Sequence, residues 1–313
     1  MSPRTQHFGD FYGLNTPPDY QSQPLWLVVG NCQAEALRLV LDGVADHPCS
    51  TVRIPPVHEL ERSDIEPLRV LLQRAAVLLC QPIRAGYREL PLGSAELAAE
   101  VPRTARTIRW PVIRYAGLHP FQAIVRHPAD RSVVPPVVPY HDLRTVVAAR
   151  DGKSIDDDWD VTVEETAFIA VAEASQTELA RRERLLCDVG VSDVLSRSGA
   201  EAAHTINHPG NAVLAELARR VLAELGVAAS VTTPSRTLLG SVIAPLDSRV
   251  LAARNITAPA RLNWLVEGSE ISPGDVHRAQ LQWYRDNPDY VDLAIARHAQ
   301  TLHLLGLGTA AAA

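Results

Sequence analysis

The chain has almost no lysine. Of its 30 basic side chains, Lys153 is the only lysine and arginine supplies the rest. Schiff-base chemistry would therefore rest on Lys153, in the polar stretch 150–154, a poor place to desolvate an amine. Cysteine is also scarce. Cys32, Cys49, Cys80 and Cys187 are widely spread and form no CxxC pair, which argues against a structural zinc site and against a disulfide framework. Long apolar runs are missing: the stretch 75–80 is far too short to cross a bilayer. The first 19 residues lack the basic start and apolar core of a signal peptide, so a cytoplasmic location is expected. Excess positive charge is absent too. The formal net charge is −6 with both signs mixed along the chain, which excludes a nucleic-acid binder and gives no polybasic membrane surface. Asp156-Asp157-Asp158 with Asp160 lacks the spacing of a calcium loop and reads as a solvated segment, so no metal is expected.

What is present is an α/β pattern. Length allows one large domain or two modest ones. Residues 1–24 read as an irregular arm. Residues 24–30 form a short continuous apolar run, as in a strand buried on both faces of a parallel sheet. Ala34, Ala36, Leu37, Val40 and Leu41 then recur at helical spacing, with Gly43 as a stop. Residues 51–55, 75–80 and 107–110 read as further strands. Residues 66–74 and 94–100 read as helices, the latter with Ser94 as its N-cap. Residues 163–196, 210–225, 273–284 and 290–305 read as helices, and the tail at 310–313 as frayed. The expected fold is α/β and helix-rich: a short parallel sheet in the N-terminal half and a largely helical C-terminal half. The expected organisation is an arm at 1–24, an α/β part at 25–150 carrying Cys32, and a mainly helical part at 151–313 contributing His208.

Gly30-Asn31-Cys32-Gln33 is the most informative segment. Ligands of open parallel sheets bind beyond the carboxyl ends of the strands, and Cys32 lies there, at the start of a helix. Free backbone N–H groups and the helix dipole favour a thiolate, so a lowered pKa is expected for Cys32. Asn31 and Gln33 carry amide donors beside it, suited with the backbone to an oxyanion. Cys49, Cys80 and Cys187 read as small buried apolar residues.

A cysteine nucleophile needs a base. His208 lies in Asn207-His208-Pro209-Gly210 before a helix, with Pro209 suited to an early helical position. His119 lies in Gly117-Leu118-His119-Pro120 after a strand-like stretch. Both sit on loops of the kind that carry function; each also reads as a capping or packing histidine.

Taken together, Gly30-Asn31-Cys32-Gln33, Gln81-Pro82, Gly117-Leu118-His119-Pro120 and Asn207-His208-Pro209 resemble the WcbI family of capsular polysaccharide acetyltransferases, over roughly residues 25–225. The resemblance implies coenzyme A or its acetyl thioester as ligand, a Cys32 and His208 centre lined by Gln33 and Gln81, and transfer to a sugar hydroxyl. Phosphates of such a ligand call for arginine; Arg84 is the first choice, with Tyr87 and Arg88 on the same loop. The expected function is acyl transfer from coenzyme A to a hydroxyl or amine of a sugar or other small metabolite, through an acyl-cysteine or directly. A cysteine thioesterase or esterase, and a non-catalytic acyl-thioester binder, are the alternatives.

Overall fold

The computed structural model describes residues 2–14, 23–45 and 48–308. The expected fraying at 310–313 lies outside the described residues, as does residues 15–22 of the expected arm. The chain forms two compact units. The first takes Met1–Ile113, Leu179–Leu195 and Gly210–Leu239; the second takes Arg114–Glu178, Ser196–Pro209 and Gly240–Ala313.

In the first unit, β1 (Leu25–Val29), α1 (Cys32–Asp42), β2 (Ser50–Thr51), α2 (Ile65–Leu72), β3 (Val77–Cys80), α3 (Ser94–Glu100) and β4 (Arg106–Arg109) follow one another. The strands make one parallel sheet in the order β2-β1-β3-β4. Val29 lies opposite Cys80, and Leu79 opposite Ile108. Every residue of β1 and β3 is buried, as the apolar runs require when helices cover both faces. Burying a leucine such as Leu27 or Leu78 contributes about 2 kcal/mol. α1 packs on helix Asn211–Leu225, whose Leu214, Leu217 and Val221 are fully buried. Because β2 lies on one side of β1 and β3 on the other, the direction of winding reverses between β1 and β3. That is the place where open α/β sheets leave a crevice.

Several boundaries differ from expectation, each for a local reason. The arm is not irregular where it is described: Ser2 caps a one-turn helix, Pro3–His7, and Phe8 and Phe11 join the sheet's core cluster. Arg4 grips the buried Asp64 carboxylate through both terminal nitrogens, at 3.1 and 2.8 Å, and Tyr12 donates to it at 2.7 Å. Ser94 is the first residue of α3, not its cap; Gly93 occupies that place, and the Ser94 hydroxyl donates to Gln81 O instead. Residues 290–305 make two helices, Asp289–Arg297 and Ala299–Leu304, parted at His298.

The second unit gathers helices Leu143–Arg150, Pro273–Asp286 and Asp289–Arg297 around buried Phe121, Val146, Tyr284 and Ala294. Beside them stands a three-stranded antiparallel sheet of Val242–Ile243, Trp264–Val266 and Ser269–Ile271. Ala203–Thr205 pairs with His208–Pro209. Pro209 therefore lies in a strand ahead of the helix, whose N-cap is Gly210. Helix Glu165–Leu186 begins in this unit and ends in the first. No helix among the described residues is long and apolar enough to cross a membrane.

Candidate active site

Cys32 opens α1 directly beyond β1, at the reversal of the sheet. Asn31 is the N-cap, and its side-chain oxygen accepts the Gln33 N–H at 2.9 Å. A buried amide network holds this turn from beneath. Gln81, which follows β3, accepts the Asn31 N–H at 2.8 Å and donates to the Gln33 side-chain oxygen at 3.2 Å. Gln33 in turn exchanges hydrogen bonds with the Ile113 backbone, at 2.8 and 3.0 Å. Gln33 is fully buried and Gln81 nearly so. Their amides are thus turned into the scaffold, where they fix the strand-to-helix turn. Gly30 is required here by space: a Cβ would stand 2.6 Å from Gln81 Oε1.

The expected lowering of the Cys32 pKa is not found. Burial pushes the thiol up to about 11; the N–H groups of Cys32 and Gln33 pull it down by less, and the Glu59 charge adds to the rise. Desolvation outweighs the helix N-terminus, so the group rests as a thiol at neutral pH. Burial also raises Cys49 to about 12, Cys80 to about 11 and Cys187 to about 12. Among the four, it is Cys32 that backbone N–H groups draw downward. Cys49 and Cys80 are buried as expected, whereas Cys187 is half-buried just past a helix end.

Glu59 and its neighbour His58 are residues the sequence reading passed over. They follow β2 on the segment where the Val57 N–H bonds to Gly30 O at 2.9 Å. His58 Nε2 lies 3.7 Å from the Glu59 carboxylate. No local motif marks them, since the link to Cys32 runs through the sheet order. Arg88 donates to His58 O, and Tyr87 packs against the sheet's core cluster. Arg84 is exposed on the same loop and forms no hydrogen bond or ion pair among the described residues.

The histidines chosen from sequence lie in the second unit. His119 is buried, its Nε2 lies 3.2 Å from Ala203 O, and burial pushes its pKa down to about 4. His208 is half-buried and meets the Tyr140 ring edge-on at 6.3 Å. Tyr140 donates to the Asn207 side-chain oxygen at 2.8 Å and accepts from Thr205 at 2.9 Å. Asn207 thus orders the histidine's loop. Tyr140 was invisible in the sequence as a partner because 65 residues or more separate it from these groups.

Comparison with known proteins agrees with this architecture. A solved structure described as WcbI, a novel polysaccharide biosynthesis enzyme, matches with a TM-score of 0.78 at 19% identity, covering 92% of this chain and 100% of that one. It is described as the native protein without a disulfide bond between coenzyme A and a cysteine of its own. No curated protein matches the chain. The family model for the polysaccharide biosynthesis enzyme WcbI matches residues 25–230. The chain belongs to the WcbI family of polysaccharide biosynthesis enzymes.

Proposed function

We propose that this protein is an acyltransferase: it moves an acyl group, acetyl in the simplest case, from coenzyme A to a hydroxyl or amine of a saccharide or other small metabolite. The observation that carries this is the position of Cys32, on the first residue of a capped helix at the reversal of a parallel sheet. The coenzyme A named for the structural neighbour supports the donor. Arg84, with its guanidinium uncommitted, is our choice for a phosphate of that donor.

In the covalent course, Cys32 Sγ bonds to the acyl carbon, the thioester C–S bond breaks, and coenzyme A leaves as a thiol. The acceptor oxygen or nitrogen then takes the acyl group and restores the Cys32 thiol. We assign the developing oxyanion to the Cys32 N–H at the start of α1 and the side-chain NH2 of Asn31, because the Gln33 N–H is held by Asn31 Oδ1. A thiol near pKa 11 is overwhelmingly protonated at neutral pH, so the attack requires a base to take its proton. We assign that role to His208, ordered by Asn207, rather than to His119, whose ring is spent on a backbone carbonyl. His58 is a second reading, favoured by the reach of the Glu59 charge to Cys32.

Calorimetric titration with coenzyme A and acetyl-coenzyme A, on wild type and Cys32→Ser, is the first test. Micromolar binding to both proteins is expected, followed by a labelled acetyl group on Cys32 in a single turnover. Absence of binding sinks the donor assignment. Rapid release of free acid without an acceptor marks a hydrolase instead. Loss of turnover in His208→Ala but not in His58→Ala supports the first assignment of the base, and the reverse supports the second.

A further inference from the structure

The second unit holds a cleft of about 460 Å³ lined entirely by its own residues. One wall is built from a repeated device. Asp142 caps helix Leu143–Arg150 and pairs with Arg144 two residues on, at 2.7 Å. Asp247 caps helix Ser248–Ala253 and pairs with Arg249 two residues on, also at 2.7 Å. Asp160 joins the two arginines, at 2.7 Å to Arg144 and 3.2 Å to Arg249. Arg144 is further held over the rings of Phe121 and Trp159, at 4.3 and 4.4 Å. The wall is therefore rigid. It sets carboxylate acceptors beside guanidinium donors, an array that vicinal hydroxyls satisfy because each both donates and accepts. Three carboxylates against two guanidiniums leave it one negative charge.

The cleft also contains Arg261, which differs from the other two arginines. Its Nη1 donates to Ala244 O at 2.8 Å, and it forms no ion pair among the described residues. Burial lowers its pKa, with the Glu201 charge opposing. A partly desolvated guanidinium with donors to spare is a site for an anion, and its planar fork suits a carboxylate or phosphate. Leu262 beside it is exposed and offers an apolar contact at the rim.

From this pairing we infer that the cleft binds a polyhydroxylated ligand carrying one anionic group: the anion on Arg261, the hydroxyls on the Asp142–Arg144–Asp160–Arg249–Asp247 array. An acidic sugar and a sugar phosphate share this chemistry. A ligand with several phosphates does not fit it, because the other two arginines are already committed to carboxylates. The inference stands on this cleft alone and does not depend on acyl transfer at Cys32.

Titration of the whole protein with D-glucuronate, D-glucose 1-phosphate, D-glucose and inorganic phosphate tests it. Each anionic sugar is expected to bind at least about tenfold more tightly than glucose, the yield of one charge-assisted hydrogen-bonded pair. Whichever of the two binds more tightly identifies the source of the charge. Raising the salt should weaken the anionic sugar and leave glucose unchanged. In Arg261→Gln the advantage should vanish, while Arg261→Lys keeps part of it. Coenzyme A titrated into the same Arg261→Gln sample should bind as it does to wild type. Equal affinity for glucose and glucuronate overturns the role of Arg261. Inorganic phosphate binding as tightly as the sugar phosphate overturns the hydroxyl array. No binding of any of the four overturns the site, whatever coenzyme A does. The salt series on wild type needs no variant, so a folding defect in Arg261→Gln leaves the test intact.

Discussion

The turn at Cys32 and the cleft of the second unit use polar groups in opposite ways. Around Cys32 the amides of Asn31, Gln33 and Gln81 are bonded to each other and to backbone, with Gln33 and Gln81 buried. The cleft's polar groups line a cavity and are ion-paired to one another, with Arg261 outside the pairing. A buried network is costly to break because every orphaned group loses both water and partner. An open one is cheap to break and changes mainly what it binds. Mutations at the first site should therefore act on folding or on chemistry, and those at the second on affinity.

The largest effect belongs to Cys32→Ala. If the acyl group passes through the thiol, the rate of transfer should fall by about 10³-fold or more, with the melting temperature little changed. A rate within tenfold of wild type excludes the covalent course. Next comes Gln81→Leu, which leaves the Asn31 N–H without its acceptor, while the Gln33 oxygen keeps the Ile113 N–H. At about 1–3 kcal/mol per orphaned buried group, a loss of about 1–3 kcal/mol is expected in urea unfolding. A loss under 1 kcal/mol refutes the view of Gln81 as the support of the turn.

How much of this was legible in the sequence follows from the range of the interactions. The strand, turn and helix around Cys32 depend on neighbours, and their apolar spacing shows in the chain. The capping of α1 by Asn31 is local in the same way. The raised Cys32 pKa was not legible, because desolvation is set by everything packed around the thiol, whereas the helix N-terminus that suggested the opposite is written in four residues. The roles of Gln33 and Gln81 turn on their 48-residue separation. Asp160 sat in what reads as a solvated acidic run, but two arginines from distant helices claim it; the paired Asp-x-Arg steps at 142–144 and 247–249 were the available signal. Periodicity reports local structure and says nothing of which later segment returns to which unit, so the return of 179–195 and 210–239 to the first unit was beyond its reach.

Acid should separate the two units. His119 and His141, both in the second, are held neutral by burial with pKa values down to about 4. A folded pKa below the ordinary 6.5 means that the unfolded state binds the proton first. Stability is then complete above pH 6.5 and drains away between 6.5 and 4. Each histidine should cost the second unit about 2 kcal/mol at pH 5. In the first unit, burial raises the Asp64 carboxyl, yet its bonds to Arg4, Tyr12 and the Glu61 N–H bring it below the usual range. Its contribution is therefore kept at pH 5 and lost at lower pH, as the folded pKa is passed. Hydrogen exchange at pH 5 should show protection falling in the second unit while the first holds. Equal loss in both, or no loss in a His119→Gln variant's wild-type control, contradicts this account.

The smallest effect sharpens the contrast most. Arg261→Gln removes one hydrogen bond to Ala244 O and a charge that burial already disfavours. These contributions oppose each other, so stability should change by no more than about 0.5 kcal/mol, the range of surface substitutions. Gln81 and Arg261 each hold backbone or side-chain partners through long polar arms, and a survey of contacts alone would rank them alike. They differ in what is left behind: removing Gln81 leaves the Asn31 N–H without its acceptor at the turn that carries Cys32, while removing Arg261 leaves the Ala244 carbonyl, next to the cleft-lining Pro245. A loss of 2 kcal/mol or more in Arg261→Gln would make Arg261 a structural support of its sheet, and would move the cleft from the second class of site to the first.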